Sequence, residues 1–188
     1  MKKHIIFLLL FLIFTALKCK KGPDILEPSA QLPPITDSGA NTFGCKVNGN
    51  VWLPYYDGWS TQVNALAIAE EKSSNNYRNF LIVASNRKNE ASDDLEIDLN
   101  NVNDTGYYRI YNSLNTGLVF SSGNYQYEPF DTFATVHVSH LDTVKKIISG
   151  TFSSIAYSDT NRVTRKIVYI TDGRFDMHYP TVIHFITR

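Results

Sequence analysis

The chain is poor in several kinds of residue, and each scarcity excludes a class of protein. Only two of its 188 residues are cysteine, Cys19 and Cys45, so disulfide bonds cannot form a framework for the fold. Only 19% of the residues are charged while 13% are aromatic, which excludes an intrinsically disordered chain. Lysine and arginine together number 18, as do aspartate and glutamate, so no basic excess indicates nucleic-acid binding. The length fits a single domain, or a single domain with a tail.

One long apolar run stands at the N-terminus. Residues 5–17 follow a short basic start and are apolar except for Thr15. As a helix this run would span about 20 Å, short of the roughly 20 residues that a bilayer core requires. A basic start before a short apolar core is typical of a secretory signal peptide. We predict that residues 1–18 are a signal peptide, with an uncleaved signal anchor as the alternative.

A cysteine directly follows the apolar core. The arrangement around Cys19 resembles the lipobox of bacterial lipoproteins, in which the cysteine is diacylated on sulfur and becomes the mature N-terminus. Lys18 departs from that pattern, which normally has glycine, alanine or serine before the cysteine. We expect a lipid anchor on Cys19 and a location at the bacterial outer membrane. Removal of residues 1–18 takes away three lysines and no acidic residue, so the mature chain would carry a net charge of −3.

Residues 19–42 have the composition of a tether. Four of the seven prolines are crowded here, and no hydrophobic period is visible. Proline-rich composition favours an extended, semi-rigid spacer. We therefore predict a lipidated tether over residues 19–42 and one folded domain over residues 43–188.

The pattern of the predicted domain is that of strands. Leu95, Ile97 and Leu99 alternate with charged residues, and similar alternation recurs between segments rich in Asn, Asp, Ser and Gly. No segment sustains the 3.6-residue period of a helix. These features predict an all-β fold, a single antiparallel β-sandwich of roughly nine to eleven strands, with a lipocalin-like closed barrel as the alternative.

The C-terminal part of the domain predicts a long hairpin. Ile147–Tyr157 and residues 165–175 would pair around a turn at residues 158–163. Gly150 and Gly173 would then lie in mid-strand, where a nearby aromatic ring could cover each bare backbone. We expect Phe152 and Phe175 in or near the core.

The odd positions of the last strand from Ile167 to Tyr179 are mostly apolar, and this face is predicted to pass unbroken through Gly173. Asp172, Arg174 and Asp176 alternate with it. We expect these three charges to form an exposed cross-strand ladder.

Three short motifs carry a family resemblance. They are FGCxVNGxxWxP at residues 43–54, SGTF at residues 149–152 and TDGRFD at residues 171–176. Together they resemble the opening and closing segments of a family of uncharacterised Bacteroidetes-type lipoproteins. The resemblance implies an envelope location and an all-β fold, and it implies that Cys45 belongs to the fold. It implies no activity.

No constellation of residues indicates catalysis or metal binding. His137 and His140 are three apart, so a regular strand would point them to opposite faces, and they could share a metal only across a bulge. Residues 98–104 offer oxygen ligands in a predicted turn but lack the glycine and glutamate of a calcium loop. We expect no catalytic residues, no metal and no cofactor, and therefore no enzyme.

The densest aromatic patch is the candidate binding site. Residues 52–59 contain both tryptophans, of which Trp52 is expected in the core. Tyr55, Tyr56 and Trp59 follow a proline and flank an Asp-Gly turn, so they could be exposed and stack on a sugar or a proline-rich peptide. Packing within the domain is the alternative for all three.

These features predict a lipid-anchored envelope protein that acts as a non-enzymatic binding or accessory module. Its partners would be the membrane, through the anchor, and a glycan or another envelope protein. We expect a monomer that does not bind nucleic acid. The alternative is a lipocalin-like carrier of a small apolar ligand, which requires the closed barrel.

Overall fold

A computed structural model describes residues 30–56, 65–72, 77–87, 92–111, 117–130, 132–159, 161 and 163–180. These ranges contain twelve strands and no helix, hence no helix long and apolar enough to cross a membrane. The strands are β1 (Thr42–Val47), β2 (Asn50–Trp52), β3 (Tyr55–Tyr56), β4 (Leu66–Lys72), β5 (Arg78–Arg87), β6 (Asp93–Val102), β7 (Gly106–Ile110), β8 (Leu118–Ser122), β9 (Tyr125–Tyr127), β10 (Ala134–Asp142), β11 (Ile147–Tyr157) and β12 (Ile167–His178).

The strands form two sheets. Sheet A has the order β2-β1-β12-β11-β10-β7, and sheet B has the order β3-β5-β6-β8-β9 with β4 also paired to β5. Every pairing between the described strands is antiparallel except the short parallel contact of β3 with β5. Each order ends at edge strands, so the described strands form two open sheets. The predicted all-β sandwich is confirmed, the closed barrel is not formed, and the strand count exceeds the prediction because β2 and β3 are very short.

The core is filled by the alternating apolar residues of both sheets. Leu95, Ile97 and Leu99 are buried, as their spacing predicts. Trp52 on β2 packs edge-on against Phe43 of sheet A and Phe120 of sheet B, with ring centroids 6.3 and 6.2 Å apart. Trp52 is therefore a core residue, as expected, and it joins the two sheets.

The predicted C-terminal hairpin is present, but its second strand is Ile167–His178 and not residues 165–175, so Ile147 pairs with His178. Gly150 pairs with Phe175 and Phe152 pairs with Gly173 on the neighbouring strand. A Cβ atom on Gly173 would lie 2.5 Å from the Phe152 ring, and one on Gly150 would meet the Phe175 ring and the His137 carbonyl oxygen. Each glycine is thus the place where a phenylalanine ring lies against bare backbone, and both rings are buried.

The prediction that one face of the last strand runs unbroken from Ile167 to Tyr179 is wrong. Val168 and Ile170 are buried at even positions, whereas Phe175 and Met177 are buried at odd positions. The change occurs at Asp172, which has a positive φ of 53°, and the register with both neighbouring strands shifts there. This β-bulge adds one residue and exchanges the two faces of the strand.

The segment before β1 belongs to the folded unit. The compact unit begins at Gln31, and the Arg174 guanidinium donates a hydrogen bond to the carbonyl oxygen of Pro33 at 3.1 Å. Gly44 leaves room for Leu32 and Pro33, because a Cβ there would contact both. Residues 31–41, which composition assigns to the tether, therefore pack on β1 and β12, and we call them the N-terminal strap.

Candidate functional site

A groove of ≈ 330 Å³ lies on the outer face of sheet A. Phe152 and Ser154 of β11 are buried, so Thr151 and Ser153, which alternate with them, face away from the core. The backbone of Gly173 forms part of the groove floor, and Ile35 of the N-terminal strap forms part of one wall. We call this depression the sheet A groove.

Strand register places four chemically different side chains in one row across the groove. Tyr107 pairs with His137, His137 with Thr151, and Thr151 with Arg174. Residues directly opposite each other on neighbouring antiparallel strands share a face. At about 4.8 Å between strands, the row from Tyr107 to Arg174 is about 14 Å long.

An exposed aromatic ring stands at one end of the row. The Tyr107 ring stacks on the His137 imidazole with centroids 4.3 Å apart and planes inclined by 22°. Tyr107 is nevertheless 76% exposed. The imidazole covers one ring face and holds the ring in place, which leaves the opposite face open to a ligand.

A fixed positive charge stands at the other end. The Arg174 side chain donates from Nε to the carbonyl oxygen of Asp172 at 3.2 Å and from Nη1 to that of Pro33 at 3.1 Å. Both acceptors are neutral, and the described residues give this guanidinium no carboxylate within ion-pair distance. Arg174 is thus held between the bulge and the strap with its charge unpaired.

Asp172 brings a negative charge to the groove, but that charge is already paired. Its carboxylate lies 2.8 Å from the Lys46 ammonium. The hydrogen bond from Lys46 and the Lys46 charge, helped by the charge of Arg174, lower the pKa of the Asp172 carboxyl below its usual range. Of the three charges predicted to form an exposed ladder, Asp172 forms an exposed ion pair, whereas Arg174 forms no ion pair with the described residues.

Asp176 departs from the predicted ladder, because it is 1% exposed. Its carboxylate accepts hydrogen bonds from the Thr36 hydroxyl, the Gly39 amide and the Ser149 hydroxyl, each at 2.7 Å, and from the amides of Ser38 and Ala40 at 3.1 Å. Burial by itself raises the pKa of Asp176, but these hydrogen bonds outweigh it and lower the pKa to about 2. Asp176 therefore anchors the strap and, through it, the groove wall at Ile35.

The structure places one of the predicted binding residues and leaves the others open. Tyr55 lies in β3 at the edge of sheet B and is 47% exposed. The side chain of Tyr56, the whole of Trp59 and the lipidation site Cys19 lie outside the described residues. The aromatic patch and the anchor therefore remain predictions.

The other residues weighed from the sequence have structural surroundings. Cys45 is fully buried, and burial raises the pKa of its thiol to about 12, so it is an unreactive core residue. A register shift between Val138 and His140 supplies the bulge that would bring His137 and His140 to one face. The described residues nevertheless contain no group of three or more metal-binding side chains.

The predicted turn at residues 98–104 is partly wrong, because β6 continues to Val102. Asp98 therefore lies within a strand. Burial, and then the charges of Glu96 and Glu71, raise the pKa of the Asp98 carboxyl.

A second cluster of charges connects the two sheets. Glu70 on β4 is buried and forms ion pairs with Arg78 on β5 and with Lys146, whose ammonium is 3.6 Å away in the turn before β11. Lys146 also lies 5.4 Å from the ring centroid of Tyr179. Burial, and then the charge of Glu70, raise the pKa of the Tyr179 phenol. These groups are closely packed with one another, and we assign them to stability.

Sequence reasoning missed the sheet A groove. Tyr107 belongs to no sequence motif, and the spacing of His137 from His140 suggests only a metal pair. The one available signal was the run of hydroxyl and charged residues at alternate positions of the predicted hairpin, but the register that unites four strands is not visible in the sequence.

The fold and the groove define a β-sandwich with a shallow aromatic and charged depression on one sheet. No family model, curated protein or solved structure matches the chain. The chemistry of the groove is thus the basis for assigning a function.

Proposed function

We propose that this chain is a lipid-anchored envelope protein that binds a glycan, without catalysis, in the sheet A groove. The observation that carries the proposal is the exposed Tyr107 ring, fixed against His137 at the end of a row of polar side chains. The lipid anchor on Cys19 and the export signal are part of the same proposal and rest on the sequence.

The residues of the groove suit a sugar. A pyranose has apolar C–H faces, which pack on a flat aromatic ring, and a rim of hydroxyls, which need donors and acceptors. Thr135, Thr151 and Ser153 line the groove and offer hydroxyls that serve as both. The groove is open and shallow, which suits a segment of a chain better than a small enclosed molecule.

The carrier alternative has less support. An apolar ligand would have to lie between the sheets, where the rings of Phe43, Trp52 and Phe120 are already packed on one another. The open edges of both sheets also remove the closed barrel on which that alternative depends.

A partner envelope protein is a second candidate, and one observation favours it. Ile155, Ile167 and Tyr169 are 40%, 44% and 50% exposed on the outer face of β11 and β12. Ile155 and Tyr169 are cross-strand partners, so the three form one apolar patch beside the groove. Such a patch is typical of a protein contact surface.

Binding is tested by titrating glycans of defined composition into the folded chain and following amide shifts by NMR. We expect shifts at Thr151 and its neighbours, and we expect Tyr107→Ala to weaken binding about ten-fold or more, by loss of the stacked ring. Tyr55→Ala is the matched control, because Tyr55 is an exposed tyrosine on the other sheet. If Tyr55→Ala loses binding and Tyr107→Ala does not, the binding site is the predicted aromatic patch and not the sheet A groove.

The anchor is tested separately by mass spectrometry of protein extracted from membranes. The expected species begins at Cys19 and carries acyl groups. A chain that retains Met1 and an unmodified Cys19 would contradict this part of the proposal.

A further inference from the structure

We infer that the sheet A groove takes an acidic glycan, with a sugar carboxylate or sulfate bound between Arg174 and Thr151. This inference rests on the proposed function and names the ligand class. It is carried by the unpaired guanidinium at one end of the groove, which a neutral sugar would leave without a counter-charge.

The charges that face the groove add up to a positive site. Asp172 is the one carboxylate among the described residues that line it, and Lys46 neutralises that carboxylate at 2.8 Å. Arg174 then remains as a net positive charge. Arg109 does not line the groove, but it lies opposite Thr135 on β7 and so shares its face of the sheet, with its guanidinium 4.7 Å from the Phe133 ring centroid.

Arg174 is oriented before any ligand arrives. A guanidinium has five N–H donors in a rigid plane. Two donors of Arg174 are used by the carbonyl oxygens of Asp172 and Pro33, which fixes the plane and leaves the other three. A group already held in place loses little conformational entropy on binding, and its hydrogen bonds to an anion are charge-assisted.

Thr151 completes the anion site. Thr151 lies directly opposite Arg174 on the neighbouring strand, so their side chains share one face of the sheet. The backbones of the two strands are about 5 Å apart. A hydroxyl donor beside a planar cation suits the two oxygens of a carboxylate or two of the three oxygens of a sulfate.

The separation of the two ends sets a minimum size for the ligand. The open face of Tyr107 lies about 14 Å across three strand spacings from Arg174. One sugar ring cannot contact both ends. The ligand is therefore an oligosaccharide or a polysaccharide segment that stacks one unit on Tyr107 and presents an acidic unit to Arg174.

The test compares three oligosaccharides of equal length by isothermal titration calorimetry: an oligouronate, a sulfated oligosaccharide and a neutral glucan. We expect at least one acidic ligand to bind about ten-fold or more tightly than the glucan, as one charge-assisted interaction allows. This advantage should shrink as the salt concentration is raised from about 50 to 500 mM, because screening shortens the reach of the charge.

Two variants test the groove charge in opposite directions. Arg174→Gln should reduce the affinity for the acidic ligand about ten-fold or more, and should reduce the affinity for the glucan much less. Asp172→Asn removes the opposing carboxylate and should strengthen acidic binding several-fold. Because Asp172→Asn leaves the Arg174 contact to the strap in place, it keeps the test valid if Arg174→Gln disturbs the fold.

The outcomes separate the inference from the proposed function. Equal affinity for acidic and neutral ligands, with both lost in Tyr107→Ala, would overturn the acidic class and leave glycan binding standing. An equal loss of both ligands in Arg174→Gln, with no gain in Asp172→Asn, would also overturn it. If none of the three binds, both the proposed function and the inference fail.

Discussion

At the scale of single residues, Gly173 and Phe152 form a matched pair. A methyl group on Gly173 would lie 2.5 Å from the Phe152 ring, and that ring is held by Phe43 at a centroid distance of 5.2 Å. We expect Gly173→Ala to lower the free energy of unfolding by about 1–3 kcal/mol through overpacking. Denaturant unfolding measures the change.

A double-mutant cycle isolates this contact. In a Phe152→Ala background, which itself costs about 3–5 kcal/mol, the ring is gone and the methyl group has room. Gly173→Ala should then cost less than about 0.5 kcal/mol, since the two substitutions no longer interfere. An equal cost in both backgrounds would show that the glycine is needed for its backbone and not for the ring.

Asp176 is the residue for which sequence and structure differ most. Asn in its place would present an NH₂ group to hydroxyl and amide donors, so at least one charge-assisted hydrogen bond would be lost. We expect Asp176→Asn to lower the free energy of unfolding by about 1.5–3 kcal/mol. Asp172→Asn, on the exposed side of the same strand, should shift the unfolding midpoint much less, and equal shifts would contradict this reading of Asp176.

The same carboxylate predicts a dependence on pH. The pKa of Asp176 is about 2 in the folded chain, below the value of about 3.9 for an unfolded aspartate. Between these values the unfolded chain binds more protons, so the stability that Asp176 contributes is complete above about pH 4 and is lost as the pH falls towards 2. Urea unfolding at pH 5, 4, 3 and 2 should show a steeper loss in the natural chain than in Asp176→Asn. If the stability of the two chains fell in parallel as the pH is lowered, the assigned role of Asp176 in the pH dependence would be wrong.

The glycine–phenylalanine pairs were predictable from the sequence, whereas the role of Asp176 was not. The Gly-x-Phe spacing on two predicted strands was enough to place an aromatic ring over each glycine. The role of Asp176 was hidden, because three of its donors are backbone amides in a segment of low hydrophobicity. No side-chain pattern records where a backbone amide will point.

At the scale of elements, the N-terminal strap adds stability that its composition did not predict. Removing it would leave the buried Asp176 with Ser149 as its remaining hydrogen-bond donor among those described, and would remove Leu32 and Pro33 from their contact with Gly44. A chain that begins at Thr42 should be less stable than one that begins at Gln31 by at least about 2 kcal/mol, the value of roughly one charge-assisted hydrogen bond. Equal thermal and urea unfolding curves for the two chains would show that residues 31–41 add no stability and behave as part of the tether.

The hairpin of β11 and β12 was predicted correctly in its strands and wrongly in its faces. Period two is a local property, so the sequence shows that a strand is present. A bulge exchanges the faces without breaking the strand, and Asp172 tolerates the positive φ that this bulge requires. Val168 and Ile170 at even positions, followed by Phe175 and Met177 at odd ones, were the visible sign of the change.

At the scale of the whole molecule, the class of fold was within reach of the sequence and the groove was not. Alternation and turn chemistry are sufficient for a two-sheet fold. The groove depends on the register of β7, β10, β11 and β12, which brings Tyr107 within one row of Arg174 across 67 positions of chain. Register is set by turns, bulges and packing together, so the site emerges only from the folded sheet.

The charge cluster around Glu70 provides a test of how the sheets are joined. Glu70 and Arg78 belong to sheet B, whereas Lys146 and Tyr179 adjoin β11 and β12 of sheet A. The side chains of Arg78 and Lys146 are each only 18% exposed, so both cations depend on one buried carboxylate. Removing one partner of a buried ion pair leaves an uncompensated charge, which is costly.

We therefore expect Glu70→Gln to lower the free energy of unfolding by about 3–5 kcal/mol, because two cations keep their positions and lose their counter-charge. Glu71→Gln is the matched control on the same strand, since Glu71 is exposed, and it should change the stability by less than about 0.5 kcal/mol. Denaturant unfolding of the two variants at neutral pH makes the comparison. If the two variants are equally stable, the ion pairs of Glu70 add nothing to stability, and the two sheets are held together by apolar contacts such as those of Trp52.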